Sequence, residues 1–162
     1  MATRLRLLLA LGMLAVLALA APAASAAPPQ QVTPFVFFIY DESQNLVGVT
    51  VTAETFRGDS GVSTGTWRTY SPTGEVLATG RLTARHSDTG LVASVTQQSP
   101  VHGHGTLTVN SLTGQGSLDY GVEGGASGTV DFTTELASPD TPNFFNVQLQ
   151  GPVPPVLFTR GD

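Results

Sequence analysis

"GTLTVNSLTGQGSLDYGV", Gly105 to Val122, carries the pattern on which the rest of the chain is built. Leu107 and Val109 alternate with Thr106 and Thr108; after "NSLTGQ", Leu118, Tyr120 and Val122 alternate with Ser117 and Asp119. Successive side chains of a strand point to opposite faces, so each run has one oily and one watery side. The Asn- and Gly-bearing break between them has the chemistry of a hairpin turn. Two such strands joined so tightly can pair only antiparallel.

The same beat recurs in both directions. Val47, Val49, Val51 and Ala53 alternate with Thr50, Thr52 and Glu54, and the apolar set is expected to face the core. Val76, Ala78, Gly80, Leu82 and Ala84 alternate with Thr79, Arg81, Thr83 and Arg85. Val130 and Phe132 alternate with Thr129, Asp131 and Thr133, and Phe145, Val147 and Leu149 close the series. "FVFFIY", Phe35 to Tyr40, is apolar on both faces and is expected where both sides are covered. Turn clusters such as "SPTGE", "HSDTG" and "VEGGAS" separate the runs, and no apolar recurrence of helical period stands out. A Gly-led echo, "GTLTV", "GSLDY", "GTVDF" and "GRLTA", marks successive strands of one meander. The expected fold is all-β: eight or nine short antiparallel strands closing, or nearly closing, into a barrel, with a two-sheet sandwich as the alternative. Small exported barrels of the lipocalin or allene-oxide-cyclase kind are similar in architecture. That calycin-like analogy carries no function.

The ends frame this domain. Arg4 and Arg6 precede the apolar run Leu7 to Ala21, and the small residues Ala24 and Ala26 follow, the layout of a cleaved secretory signal over 1–26. The run is short for a membrane helix, which needs roughly 20 residues. A Pro-rich leader is expected over 27–34, the β domain over 35–150, and a Pro-rich tail over 151–162 with a last short strand at Val156–Thr159. The reading is an exported protein, periplasmic or extracellular, with no membrane span after cleavage.

Composition narrows the chemistry. Beyond the signal stand five Arg, no Lys and all 12 acidic residues, a net charge of −7. Such a surface does not suit nucleic acid, whose phosphates require clustered cations. The absence of Cys rules out disulfides, thiol catalysis and thiolate metal sites, so packing and sheet hydrogen bonds hold the fold.

"SPVHGHG", just upstream of the opening stretch, places His102 and His104 one residue apart. Matching apolar sets across the first hairpin puts Val109 opposite Leu118, Thr108 opposite Asp119 and His104 opposite Glu123. The same rule in the next hairpin puts Asp119 directly opposite Asp131, an unfavourable meeting of like charges. A two-residue register change, a bulge, a nearby Arg or a cation would relieve it. A divalent-cation site from His102, His104, Glu123, Asp119 and Asp131 is one reading, since imidazole and carboxylate suit such metals. An ordinary wet sheet face is the other.

Further candidates are weaker. His86, Ser87 and Asp88 are adjacent in "RHSDTG", yet triad members meet across a fold, and a turn explains them. Carboxylate pairs Asp119/Asp131 or Glu54/Glu75 lack a platform of aromatics for a sugar. Trp67, the single Trp, with Tyr70 and Tyr120, is a candidate ligand-binding set at a barrel mouth; a lone Trp is also a packing residue. The terminal Arg160-Gly161-Asp162 matches an adhesion tripeptide by chance. An outer-membrane barrel would turn its apolar face outward and show aromatic girdles that are missing here.

The functional expectation is a non-enzymatic binding or surface-interaction module, taking a small apolar ligand or an envelope or extracellular partner along a sheet face or edge, with no cofactor beyond that possible cation. The rival is an enzyme of cyclase or isomerase type using the barrel interior, with Tyr120, Glu54 or His86 among apolar walls. A filled core favours the first; a cavity of a few hundred Å³ holding an inward ionisable group favours the second.

Overall fold

A computed structural model describes residues 31–154, and the proposed signal, most of the leader and Val156–Thr159 lie outside them. Nine strands form one closed barrel in sequential order, with no helix among the described residues. They are β1 (Val32–Tyr40), β2 (Leu46–Phe56), β3 (Val62–Tyr70), β4 (Val76–Ser87), β5 (Gly90–Ser99), β6 (Gly103–Asn110), β7 (Gln115–Val122), β8 (Ser127–Leu136) and β9 (Phe144–Leu149). No described helix is long and apolar enough to cross a membrane.

Each neighbouring pair is antiparallel except the seam, where β1 and β9 run parallel from Val36↔Phe144 to Tyr40↔Gln148. Parity requires this. In an up-and-down meander of nine strands the first and last point the same way. β1 takes in Val32, Thr33 and Pro34, which the sequence reading assigned to the leader. Pro34 pairs with Ala53, and the β9 pairing starts only at Val36, so its missing N–H faces no ladder on the seam side.

The core is the barrel interior: Ile39, Trp67, Leu82, Leu118, Phe132 and Leu149 are all buried there. The Gly-led echo has a packing role. Trp67 pairs with Gly80, Phe132 with Gly116, and Tyr120 with Gly128, and in each pair the ring lies over the glycine. A Cβ on Gly80 would stand 2.5 Å from the Trp67 ring. The glycines are the floor on which the large rings rest.

Faces differ from expectation on β1, whose outward residues Val36, Phe38 and Tyr40 are only half-buried, and on β2, and the register differs in two hairpins. On β2 Val49, Val51 and Ala53 face outward while Thr52 and Glu54 are buried inside; Val47, beside the irregularity opposite Ile39 and Tyr40, still packs on the core. β1 decides this: Phe35 pairs with Thr52 and Phe37 with Thr50, so turning three bulky inward residues of β1 to the core carries the β2 threonines with them. The β6–β7 and β7–β8 registers are each two residues away from the expected ones. Leu107 meets Leu118, Thr106 meets Asp119, and His104 meets Gly121 rather than Glu123. The turn sets this, because Asn110 Oδ1 accepts from the N–H groups of Leu112 and Thr113, and Gly114 closes the loop at φ 71°. Asp119 then meets Thr129, whose hydroxyl donates to its Oδ1 at 2.5 Å, and Asp131 meets Ser117. Of the four possible reliefs for the two aspartates, the molecule uses the register change.

Candidate functional site

The two ends of the barrel are unlike. At one, the β5–β6 and β7–β8 connections crowd inward: Val101, Tyr120 and Val122 pack on the core, and buried Gln97 donates from Nε2 to the Val101 carbonyl at 3.1 Å. The chain leaves β9 at this end, where Val153 packs on the core and Pro154 is buried. At the other end the interior is not filled. A cavity of about 270 Å³ runs from Leu118 and Leu149 up to a rim that includes His86, Thr134 and the exposed Ser111. Its size falls just below the usual range of ligand pockets, roughly 300–1,000 Å³, and suits a small molecule. The walls are mainly aliphatic and aromatic, with Phe37, Trp67, Phe132 and Phe145 among them.

One polar cluster interrupts the walls near the rim. Glu54 is only 5% exposed, and both of its oxygens are engaged. Oε1 accepts from Thr52 Oγ1 at 3.0 Å, and Oε2 accepts from Ser63 Oγ at 2.5 Å. His86 Nε2 lies 3.2 Å from Oε2 and 3.1 Å from Ser63 Oγ. Ring contacts with Phe35 and Phe56 flank the imidazole, whose side chain is 29% exposed. Burying a carboxylate is costly unless it is hydrogen-bonded, and here two hydroxyls donate to it with His86 Nε2 in hydrogen-bond reach. No buried side-chain N or O among the described residues lacks a hydrogen-bond partner.

The strands make this cluster through small residues. Glu54 pairs with Gly65 on β3, and the diagonal position is Ser63, so the carboxylate has room at the β2–β3 boundary. His86 continues the inward series Leu82, Ala84 of β4, and its N–H donates to the Gly61 carbonyl at 2.7 Å. Ser87 and Asp88 do not join it. Ser87 Oγ donates to the Gly90 carbonyl across the β4–β5 turn. A Ser, a His and an acid do meet here, but not as a hydrolytic triad. Ser63 has no exposed surface and its hydrogen goes to Glu54, so its oxygen is not presented to a substrate.

Of the residues singled out from sequence, Trp67 lines the cavity and is held by an Nε1 hydrogen bond to the Arg81 carbonyl at 3.2 Å. Tyr120 packs over Gly128 towards the filled end, and Tyr70 stands at the end of β3 beside buried Thr69; neither lines the cavity. His102 and His104 are exposed, and the Glu123 N–H donates to the His102 carbonyl. Asp119 and Asp131 are exposed on the outer face of β7 and β8. Among the described residues no three His, Asp or Glu side chains gather as a group able to hold a metal ion. Glu54 and Glu75 are at opposite ends of the barrel, since Glu75 lies in the β3–β4 turn.

The missed residues are Ser63 and Thr52, with Glu54 placed on the wrong face. For His86 the signal was present: the even-numbered inward series of β4 reaches it in one more step. No family model matches the chain, and neither a curated protein nor a solved structure does.

Proposed function

We propose that this protein is an exported barrel that binds a small, mainly apolar molecule in its interior. The observation that carries the reading is the unfilled, aromatic-walled cavity, open beside a single buried carboxylate. Apolar pockets with a few convergent polar groups are the usual form of a small-molecule site. The closed ladder leaves no free strand edge among the described residues, so capture of a partner by edge pairing has no template. The charged residues Arg68, Arg81, Arg85, Asp119 and Asp131 stand on the outer face, which a membrane-spanning barrel would keep apolar, and the core cluster lies inside.

Trp67 supplies the test, because it is the single Trp and it lines the cavity. Titration with toluene and with octan-1-ol should give a saturable change in its emission. Ala93→Phe, which fills the cavity from the β5 wall, should abolish that change while circular dichroism stays that of the wild type. A flat titration in the folded wild-type protein ends the reading. Export carries its own expectation: the mature chain begins at Ala27, and an intact mass beginning at Met1 contradicts it.

A second reading rests on Glu54 and His86 lying inside the cavity. A carboxylate and an imidazole within 3.2 Å can relay a proton, so a cyclase or isomerase acting on the bound ligand uses this pair as its acid and base. Against carbonyl chemistry, the Thr52 and Ser63 hydrogens are committed to Glu54, and no pair of free donors converges to hold an oxyanion. Deuterium incorporation into a cyclic ketone incubated with the protein in D₂O, lost in Glu54→Gln, supports this second reading; no incorporation removes it.

A further inference from the structure

We propose that the cavity selects the polar end of its ligand, taking an alcohol or an amine and rejecting a carboxylate on the same carbon skeleton. This deepens the binding reading and rests on it. The argument is a count of hydrogens. A hydroxyl has one to give. That of Thr52 goes to Glu54 Oε1 and that of Ser63 to Oε2. His86 Nε2 is turned to the same oxygen. Trp67 Nε1–H is spent on the Arg81 carbonyl, and the Ser111 and Thr134 hydroxyls stand apart from the cluster's inner side, at the rim.

What the cluster keeps for a newcomer is lone pairs. Glu54 has about four acceptor positions on its two oxygens, and its three neighbours do not fill them. The oxygen of Thr52, which lines the cavity, also keeps acceptor capacity. Thr50 Oγ1 and Thr69 Oγ1, 2.7 Å apart, hydrogen-bond to each other, which occupies one of their two hydrogens deeper in the barrel than Glu54. A ligand bringing O–H or N–H to this end finds acceptors in a cavity where water competes little. A ligand bringing a carboxylate finds a second carboxylate, with no Arg or Lys in the lining to offset it. Like charges in a poorly screened site repel strongly.

The test uses three probes of one chain length, octan-1-ol, octylamine and octanoate, each below its micelle concentration and near neutral pH, with Trp67 emission as the readout. The alcohol and the amine should saturate. Octanoate should bind at least about tenfold more weakly, the scale expected when a like charge is met in a partly dry site. Glu54→Gln should narrow that ratio. Octanoate binding as tightly as octan-1-ol overturns the selectivity while leaving the binding reading in place. No saturable response to any of the three overturns both. The wild-type ratio decides the selectivity without a variant, so failure of Glu54→Gln to fold does not blunt the test. A folded Glu54→Gln with an unchanged ratio overturns the assignment to Glu54.

Discussion

Ser63 is the smallest member of the polar cluster and the one that fixes it. Its hydroxyl is wholly buried, donates to Glu54 Oε2 and lies within reach of His86 Nε2, so one oxygen bridges the acid and the imidazole. Ser63→Ala leaves a buried carboxylate short of a donor, and losing a partner from a buried polar group costs about 1–3 kcal/mol. A urea midpoint lowered to that extent, with an unchanged m-value, is the expected result; an unchanged midpoint contradicts the bridging role. Residue identity alone does not reveal this cluster. Ser63 sits in "GVSTGTW", where small and polar side chains fill both faces and no oily set marks the inside. Glu54 was misplaced for the related reason that Val49 and Val51 look more like core than Thr50 and Thr52 do. On β2 the tie is broken by a neighbour, because Phe35 and Phe37 of β1 take the interior and pairing parity does the rest.

At the level of strands and turns, far more was legible. The all-β class, the meander and the approximate strand number follow from two-residue periodicity and turn chemistry, which act locally. Register does not, since the matching of oily sets tolerates a shift of two without turning any side chain to the other face. The turn chooses, as Asn110 does between β6 and β7. The β1–β2 hairpin has a comparable clasp. Asp41 Oδ1 accepts from the N–H groups of Ser43 and Asn45, and the Asn45 amide donates to both of its oxygens. The Asn45 side chain first, then its backbone N–H, hold the Asp41 carboxyl below its ordinary range, with Ser43 N–H adding to them and desolvation opposing. A depressed carboxyl favours the folded state above its unfolded-state range, and that contribution is lost as pH falls through the folded-state value. Asp41→Ala should therefore lower Tm at pH 7, and the gap to wild type should close as the solution is acidified through the carboxylate range. A gap independent of pH contradicts the account.

The barrel as a whole is stoppered at one end and vacant at the other. Gln148, on the outer face of the seam strand β9, donates to the Asp41 carbonyl, so the β1–β2 turn is tied to the last strand as well. Removing residues 144–162 should leave β1 and β8 as open edges, and such edges recruit other chains. Gel filtration of that truncated chain should show large species in place of a monomer, and a compact monomer of wild-type Tm contradicts the role given to the seam. Short strands and tight turns announce a closed or nearly closed barrel, but no local pattern announces its parallel seam. It depends on the parity of the strand count, a property of the chain entire.

Val36 and Phe144, the first partners of the parallel seam, belong to opposite ends of the described chain. Contacts between such distant positions form late, because the entropy of bringing them together must be met before they contribute. A polypeptide emerging N-terminus first therefore lengthens as a ribbon, hairpin by hairpin, with its oily side uncovered. It becomes a vessel with an inside only when its ninth strand arrives.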